Sequence, residues 1–204
     1  MRVVLTPGMG IGPEVTARAL VEIGDIAAIT LIGDGEAIGR QLHAAGLKFE
    51  SASTVDAVAG VSVVDTRGAE SPAPVEAIRL AAQACMDGRA DAMVTGPIHK
   101  ADLIEQGFEY IGHTEMLGSI CGVEPVMAFV GGAVRVALVT THIPLDQVRC
   151  NVTQERVVHT VRTAHSALCT DLGFERPRLV LCGLNPHSGE SGQLGDCETL
   201  VLQP

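Results

Sequence analysis

The chain has 204 residues, of which 47% are hydrophobic and 2% aromatic, and its formal net charge at pH 7 is −10. This length is enough for one sizeable domain or two small ones with a hydrophobic core. Nucleic acid is excluded as an expected partner, because the negative charge would repel a phosphate backbone and a chain with no tryptophan and one tyrosine offers no stacking platform for bases.

Targeting and redox signals are few. The sequence has no uninterrupted apolar run of about 18 residues and no long apolar region at its N-terminus, so we expect a cytoplasmic protein that does not contact a membrane. The six cysteines are widely scattered without a CxxC pair. They predict reduced, mostly buried thiols, with neither a disulfide framework nor a thiolate zinc site.

Short apolar and β-branched runs predict buried strands along the chain, at 2–6, 28–33, 61–65, 91–96, 125–130, 135–140 and 178–183. Apolar residues at helical spacing predict helices at 74–87 and 153–172. Strands separated by helices indicate an α/β/α sandwich with a mainly parallel sheet and ligand sites at the carboxyl ends of strands. Gly131-Gly132 is the exception, since two glycines between strands predict a two-residue antiparallel hairpin.

Two features between the strands leave alternatives open. The chain turns polar between residues 96 and 112, which predicts a first subdomain at 1–105 and a second at 106–204. The loop TPGMGIGPE follows the first strand and precedes a helix, where backbone amides could hold an anion. It lacks the third glycine of a dinucleotide fingerprint and the lysine of a Walker loop, so a simple tight turn explains it equally well.

Candidate functional residues lie in the loops that follow the predicted strands. His142 in VTTHIPL and His187 in VLCGLNPHSGE each follow a strand in a proline-containing loop, so their imidazoles are expected to converge on one sheet edge and could share a divalent metal. Either histidine alone is more often a hydrogen-bonded loop residue, and catalytic zinc takes three protein ligands. Lys100 in VTGPIHK could hold a phosphate or carboxylate, whereas Thr114 in IGHTEM is most simply a helix N-cap.

Four motifs, TGPIHK, GHTE, ALVTTHIPL and LVLCGLNPHSGESGQLG, in this order and spacing resemble the 4-hydroxythreonine-4-phosphate dehydrogenase family of pyridoxal phosphate biosynthesis. The resemblance spans essentially the whole chain. The segment GIGPE is also similar to isocitrate and isopropylmalate dehydrogenases, whose general fold the family shares. The resemblance implies that fold, with two subdomains and a cleft, and it implies that the C-terminal part of the family, which carries a third metal histidine, is missing.

The resemblance also implies roles for individual residues. It makes His113 and Thr114 substrate contacts, and His142 and His187 ligands of a divalent metal, which is zinc, magnesium or cobalt. The implied reaction is the NAD- or NADP-dependent oxidation and decarboxylation of 4-phosphooxy-L-threonine to 3-amino-2-oxopropyl phosphate in a homodimer. The residues that bind the nucleotide are not assigned. Two positions depart from the family pattern: the first loop is contracted at Gly8-Met9-Gly10, and Gln193 stands where a histidine is common.

Other functions remain open at this stage. The substrate could instead be D-threonate or D-erythronate 4-phosphate, as in close relatives of the family. The chain could also be an inactive truncated remnant that folds or dimerises. A metal-dependent hydrolase that uses the two histidines with Glu190 or Asp146 is a further alternative, although the order of the motifs argues against it.

Overall fold

The computed structural model describes residues 1–23, 26–55, 60–99, 105 and 112–203. Backbone contacts divide the chain into two compact units, Met1–Pro125 and Val126–Pro204. The predicted boundary between subdomains, at 105/106, stays a prediction because residue 106 lies outside the described residues. No helix in the described ranges is long and apolar enough to cross a membrane.

The first unit contains a five-stranded parallel sheet. Its strands are β1 (Arg2–Thr6), β2 (Ala28–Gly33), β3 (Glu50–Ala52), β4 (Val61–Asp65) and β5 (Ala92–Thr95). They lie in the order β3-β4-β2-β1-β5, and every neighbouring pair is parallel. Four strands confirm predicted apolar runs. Strand β3 escapes prediction because Glu-Ser-Ala carries no apolar run.

Among the described residues, four helices accompany this sheet: α1 (Gly12–Ile23), α2 (Gly35–Ala44), α3 (Ala73–Met86) and α4 (His113–Cys121). Helix α2 begins where it does because the Asp34 carboxylate accepts hydrogen bonds from the backbone amides of Glu36 and Ala37, both at 3.0 Å. Helix α3 has a proline in its first turn and confirms the helix predicted at 74–87.

Helices cover both faces of the sheet. One apolar cluster joins α1 and α2 to the sheet and consists of Ala17, Leu20, Ile29, Leu31, Ile38, Leu42 and Val63. The other joins α3 to the opposite face and consists of Val4, Ile32, Val55, Val64, Ala77, Ala81, Ala84 and Ala90. Successive strand residues such as Val63 and Val64 fall in different clusters, since side chains alternate across a sheet. The α/β/α sandwich is therefore confirmed in the first unit.

The second unit is built from an antiparallel strand pair and several helical segments. The strands are β6 (Ala128–Phe129) and β7 (Val136–Ala137), and the helices are α5 (Val148–Asn151) and α6 (Gln154–Thr170). Two 3₁₀ turns, Leu145–Gln147 and Pro186–Gly189, and a π-type helix, Glu198–Leu202, complete it. Its small core is formed by Val152, Val157 and Cys197.

Two predictions for this unit are wrong. Strands β6 and β7 pair in antiparallel fashion as expected, but residues 130–135 separate them, so the hairpin loop is longer than two residues. The run 178–183 is not a strand, and its Val180 is 88% exposed. A β-branched run forms a strand only when a neighbour satisfies its backbone groups, and within the described residues no strand pairs with it.

Candidate functional site

The loops after β1 and β5 pack against each other at the carboxyl edge of the sheet. The Met9 amide donates to the Pro97 carbonyl at 2.8 Å, and the Gly96 amide donates to the Thr6 carbonyl at 2.6 Å. Gly8 has a φ of +76°, and a Cβ atom there would lie 2.1 Å from the Pro97 carbonyl oxygen. Only glycine fits this position. The contact between the two loops therefore explains why residue 8 of TPGMGIGPE is glycine, and no bound ligand is needed to account for it.

Ion pairs occupy the carboxyl ends of β2 and β4. The Arg67 guanidinium lies 2.8 Å from Asp65 Oδ2, 2.7 Å from Glu36 Oε2 and 3.6 Å from Asp34 Oδ1. Its hydrogen bonds, with help from the backbone amides of Gly35 and Arg67, lower the pKa of Asp65 to about 2. These contacts tie the end of β4 to the start of α2, which is a structural role.

The two predicted substrate contacts are the first residues of α4. His113 and Thr114 are half-buried there, behind an extended Gly112 that provides no side-chain cap. The alternative that Thr114 is the N-cap is wrong, because Thr114 lies within the helix. The helix dipole at this end favours a negatively charged ligand. Lys100, the predicted anion contact, lies outside the described residues.

Both histidines predicted as metal ligands have a left-handed backbone. Their φ angles are 53° at His142 and 51° at His187, and both residues are exposed. A residue with a Cβ atom pays about 1–2 kcal/mol for this conformation, and such strain is concentrated at functional sites. The predicted reason for their convergence is wrong, however. Strand β7 ends at Ala137 and the run 178–183 is not a strand, so neither histidine follows directly on a strand.

His187 begins a longer left-handed segment, which we call the 187–192 turn. Every residue in it has positive φ, in order His187 51°, Ser188 52°, Gly189 83°, Glu190 43°, Ser191 58° and Gly192 92°. The Glu190 amide donates to the His187 carbonyl at 3.1 Å, and the Gly192 amide donates to the Gly189 carbonyl at 2.8 Å. The turn is therefore a left-handed segment closed by hydrogen bonds of the 3₁₀ type, from residue i+3 to residue i.

The imidazole of His187 is oriented from within this turn. Its Nδ1 atom lies 2.9 Å from Oε2 of Glu190, and the histidine side chain is 78% exposed. A metal-binding histidine commonly donates one ring N–H to a carboxylate, which fixes the tautomer and leaves the other nitrogen for the ion. The contact thus leaves Nε2 of His187 as the nitrogen available to an ion.

A buried carboxylate lies at the base of the turn. Glu198 is 6% exposed and accepts hydrogen bonds from the backbone amide of Asn185 at 2.6 Å and from Asn185 Nδ2 at 2.9 Å. These bonds lower the pKa of Glu198. This pair was not predicted from the sequence. The asparagine in NPH was a possible signal, but nothing in the sequence connects it to a glutamate 13 residues away.

The histidines fit a divalent ion as part of a site. Imidazole is a common ligand of zinc and cobalt, and the Glu190 contact is of the kind that orients such a ligand. In the described part of the chain, however, no three His, Cys, Asp or Glu side chains are arranged to hold a metal. Two imidazoles fall one short of the usual protein ligands of catalytic zinc, so a further ligand is required.

Comparison with solved structures identifies the class of protein to which this fold belongs. The crystal structure of a 4-hydroxythreonine-4-phosphate dehydrogenase from Burkholderia phymatum matches the whole chain with a TM-score of 0.83 and 28% sequence identity, and the chain covers 68% of it. The fold is thus that of an α/β dehydrogenase, and the mainly parallel sheet predicted from the sequence is confirmed.

The family follows from sequence comparison. The family model described as pyridoxal phosphate biosynthetic protein PdxA matches residues 18–204. The curated 4-hydroxythreonine-4-phosphate dehydrogenase of Methylococcus capsulatus is 37% identical over 100% of this chain, and that of Maricaulis maris is 36% identical over 96%. The chain belongs to the PdxA family, as the motifs predict. It spans about two thirds of these relatives, 67% and 66% of their lengths.

Proposed function

We propose that this chain takes part in the metal- and NAD(P)-dependent oxidation and decarboxylation of 4-phosphooxy-L-threonine to 3-amino-2-oxopropyl phosphate in pyridoxal phosphate biosynthesis. The observation that carries the proposal is the strained, left-handed backbone of His142 and His187 in a member of the PdxA family. Such strain persists where a function needs the side chain in that orientation. The names of the relatives supply the reaction.

The chain's own residues have distinct roles in this proposal. His142 and His187 hold the divalent ion, for which zinc, magnesium and cobalt are candidates. When bound, the ion lowers the pKa of the substrate hydroxyl and stabilises the negative charge that develops as carbon dioxide leaves. Glu190 lies 2.9 Å from Nδ1 of His187 and accepts a hydrogen bond in the tautomer that carries its proton on Nδ1, which presents Nε2 to the ion.

Substrate binding is the proposed role of His113 and Thr114. At the first turn of α4 they lie where the helix dipole favours a phosphate or carboxylate. Lys100 is proposed as a further anion contact. The substrate loses a hydride to NAD or NADP and a proton from its hydroxyl group, and the resulting β-keto acid then releases carbon dioxide. We also propose that the protein works as a cytoplasmic homodimer.

The metal step is tested by calorimetric titration of the purified chain with zinc or cobalt. We expect His142→Ala and His187→Ala each to weaken binding at least about tenfold, because each removes a ligand. His165→Ala is the matched control, since His165 is exposed on α6 of the same unit. Equal binding by all four proteins would contradict the proposal.

The reaction is tested by the absorbance of reduced nucleotide. The chain, a divalent ion and either NAD or NADP are incubated with 4-phosphooxy-L-threonine, and in parallel with D-threonate or D-erythronate 4-phosphate. Reduction that depends on the first substrate supports the proposal, whereas reduction with only the others assigns the alternative substrate. Metal binding without reduction on any substrate identifies a chain that keeps part of the site but is inactive alone.

A further inference from the structure

We infer that Glu198 is a positioning residue, whose carboxylate holds the 187–192 turn through Asn185 and thereby sets the metal affinity of His187 without touching the ion. The identity of His187 as a metal ligand rests on the proposed function. The role of Glu198 in holding the turn does not, because it follows from contacts within the second unit.

Glu198 is attached directly to Asn185. Glu198 binds one residue at two points: Oε1 accepts from the Asn185 backbone amide and Oε2 accepts from the Asn185 side chain. Two hydrogen bonds to separate groups fix both the backbone and the side chain of Asn185. A carboxylate is the side chain suited to this task, since both of its oxygens are acceptors.

Asn185 is hydrogen-bonded in turn to the segment that carries His187. The Asn185 carbonyl accepts a hydrogen bond from the Ser188 amide at 3.2 Å, so the same residue that Glu198 holds also closes the beginning of the turn. His187 lies between these two residues. Through this closed turn, the orientation of Asn185 influences the backbone from which the His187 side chain projects.

The segment that carries Glu198 is fixed to the core of the second unit. Cys197, next to Glu198, is 4% exposed and packs with Val152 and Val157 in the core of the unit. Asp196, which precedes Cys197 in the chain, forms an ion pair with Arg149 at 2.5 Å. The turn is thus fastened to a segment that is itself fixed to the core, which is the requirement for holding a functional group in place.

The chain packs closely around the Asn185–Glu198 contact. A Cβ atom at Gly189 would lie 3.0 Å from Glu198 Oε2, and one at Gly195 would lie 2.6 Å from Asn185 Nδ2. Glycines let the chain fold closely over the Asn185–Glu198 contact. Because the turn is strained and closes on this contact, its conformation depends on the hydrogen bonds beneath it.

The variant Glu198→Gln tests the inference. Glutamine keeps the size of the side chain but presents an NH₂ group where the carboxylate had an acceptor, so at least one bond to Asn185 is lost. Glu175→Gln is the matched control, since Glu175 is an exposed glutamate of the same unit. Asn185→Ala is a second, milder variant, because it removes the Nδ2 donor but keeps the backbone amide.

Two measurements are made on the whole chain. Hydrogen exchange read by mass spectrometry reports the opening of residues 185–195, and cobalt titration reports affinity together with the visible absorption bands of the bound ion. We expect Glu198→Gln to speed hydrogen exchange in residues 185–195. We also expect it to weaken cobalt binding about 10–100-fold and to change the absorption bands of bound cobalt, since this is the usual effect of mutating a residue that orients a metal ligand. Asn185→Ala should lie between it and the control.

The outcomes separate this inference from the proposed function. If the unaltered chain binds no cobalt, the metal proposal fails, and hydrogen exchange alone decides whether Glu198 holds the turn. If it binds cobalt and Glu198→Gln matches the control in exchange, affinity and spectrum, the inference is overturned. Should Glu198→Gln fail to fold by circular dichroism, the same comparisons on Asn185→Ala decide.

Discussion

Ser191 offers a test of the strain in the 187–192 turn that needs no ligand. Its φ is 58° and its side chain is exposed, so replacement by glycine removes the conformational strain without removing buried contacts. Removing the strain stabilises the folded chain by about 1–2 kcal/mol. The greater conformational entropy of glycine in the unfolded chain offsets about 0.4–1 kcal/mol of this gain. We therefore expect Ser191→Gly to raise the free energy of unfolding by about 0.5–1 kcal/mol.

The assay is urea unfolding followed by circular dichroism, supported by a thermal midpoint that should rise by about 1–4 °C for a chain of this length. Ser166→Gly is the control, because Ser166 is exposed within α6, where glycine should destabilise by roughly 0.5 kcal/mol. If Ser191→Gly raises the free energy of unfolding and Ser166→Gly lowers it, the result supports strain in the 187–192 turn. A Ser191→Gly protein that is destabilised as much as the control would refute the reasoning.

Two further predictions concern the first unit. Because hydrogen bonds from Arg67 lower the pKa of Asp65 from 3.8 to about 2, the stabilisation is present above pH 4 and is lost as the pH falls towards 2. Asp65→Asn should therefore lower the free energy of unfolding at pH 7 by about 0.5–1 kcal/mol, a value reduced for solvent exposure. The difference between the urea midpoints of the two proteins should vanish near pH 2. A difference that stays constant with pH would contradict this role of Asp65. Gly8→Ala should destabilise the protein more than Gly10→Ala does, by about 1–3 kcal/mol. Both glycines have positive φ, but of the two only Gly8 faces a backbone oxygen within 4 Å. Equal unfolding midpoints for the two variants would rule out the contact between the loops after β1 and β5.

The first unit was largely predictable because its signals are local. Strands β1, β2 and β4 are each a short, mostly apolar run, and α3 carries an apolar stripe with a proline at its start. In the second unit the same kind of signal fails at 178–183, since a strand also needs a partner that the local sequence does not reveal.

The candidate site was predictable in identity but not in geometry. His142 and His187 stand out in the sequence through their proline-containing loops and the family motifs. Their left-handed backbone could not be foreseen, because residues other than glycine rarely adopt it. The Asn185–Glu198 contact also escaped, since it joins a loop to a helix 13 residues later and leaves no periodic pattern.

The position of β1 has a consequence for how the protein forms during its synthesis. Strand β1 is synthesised before both of its neighbours in the sheet, β2 and β5, and the Arg2 amide binds Asp91 at 2.8 Å. At about 5–20 residues per second, the roughly 90 residues between these partners take on the order of 5–18 s to be made. During that interval the edge of β1 that pairs with β5 has no partner strand, so the five-stranded sheet can close only after residues 92–95 have been made.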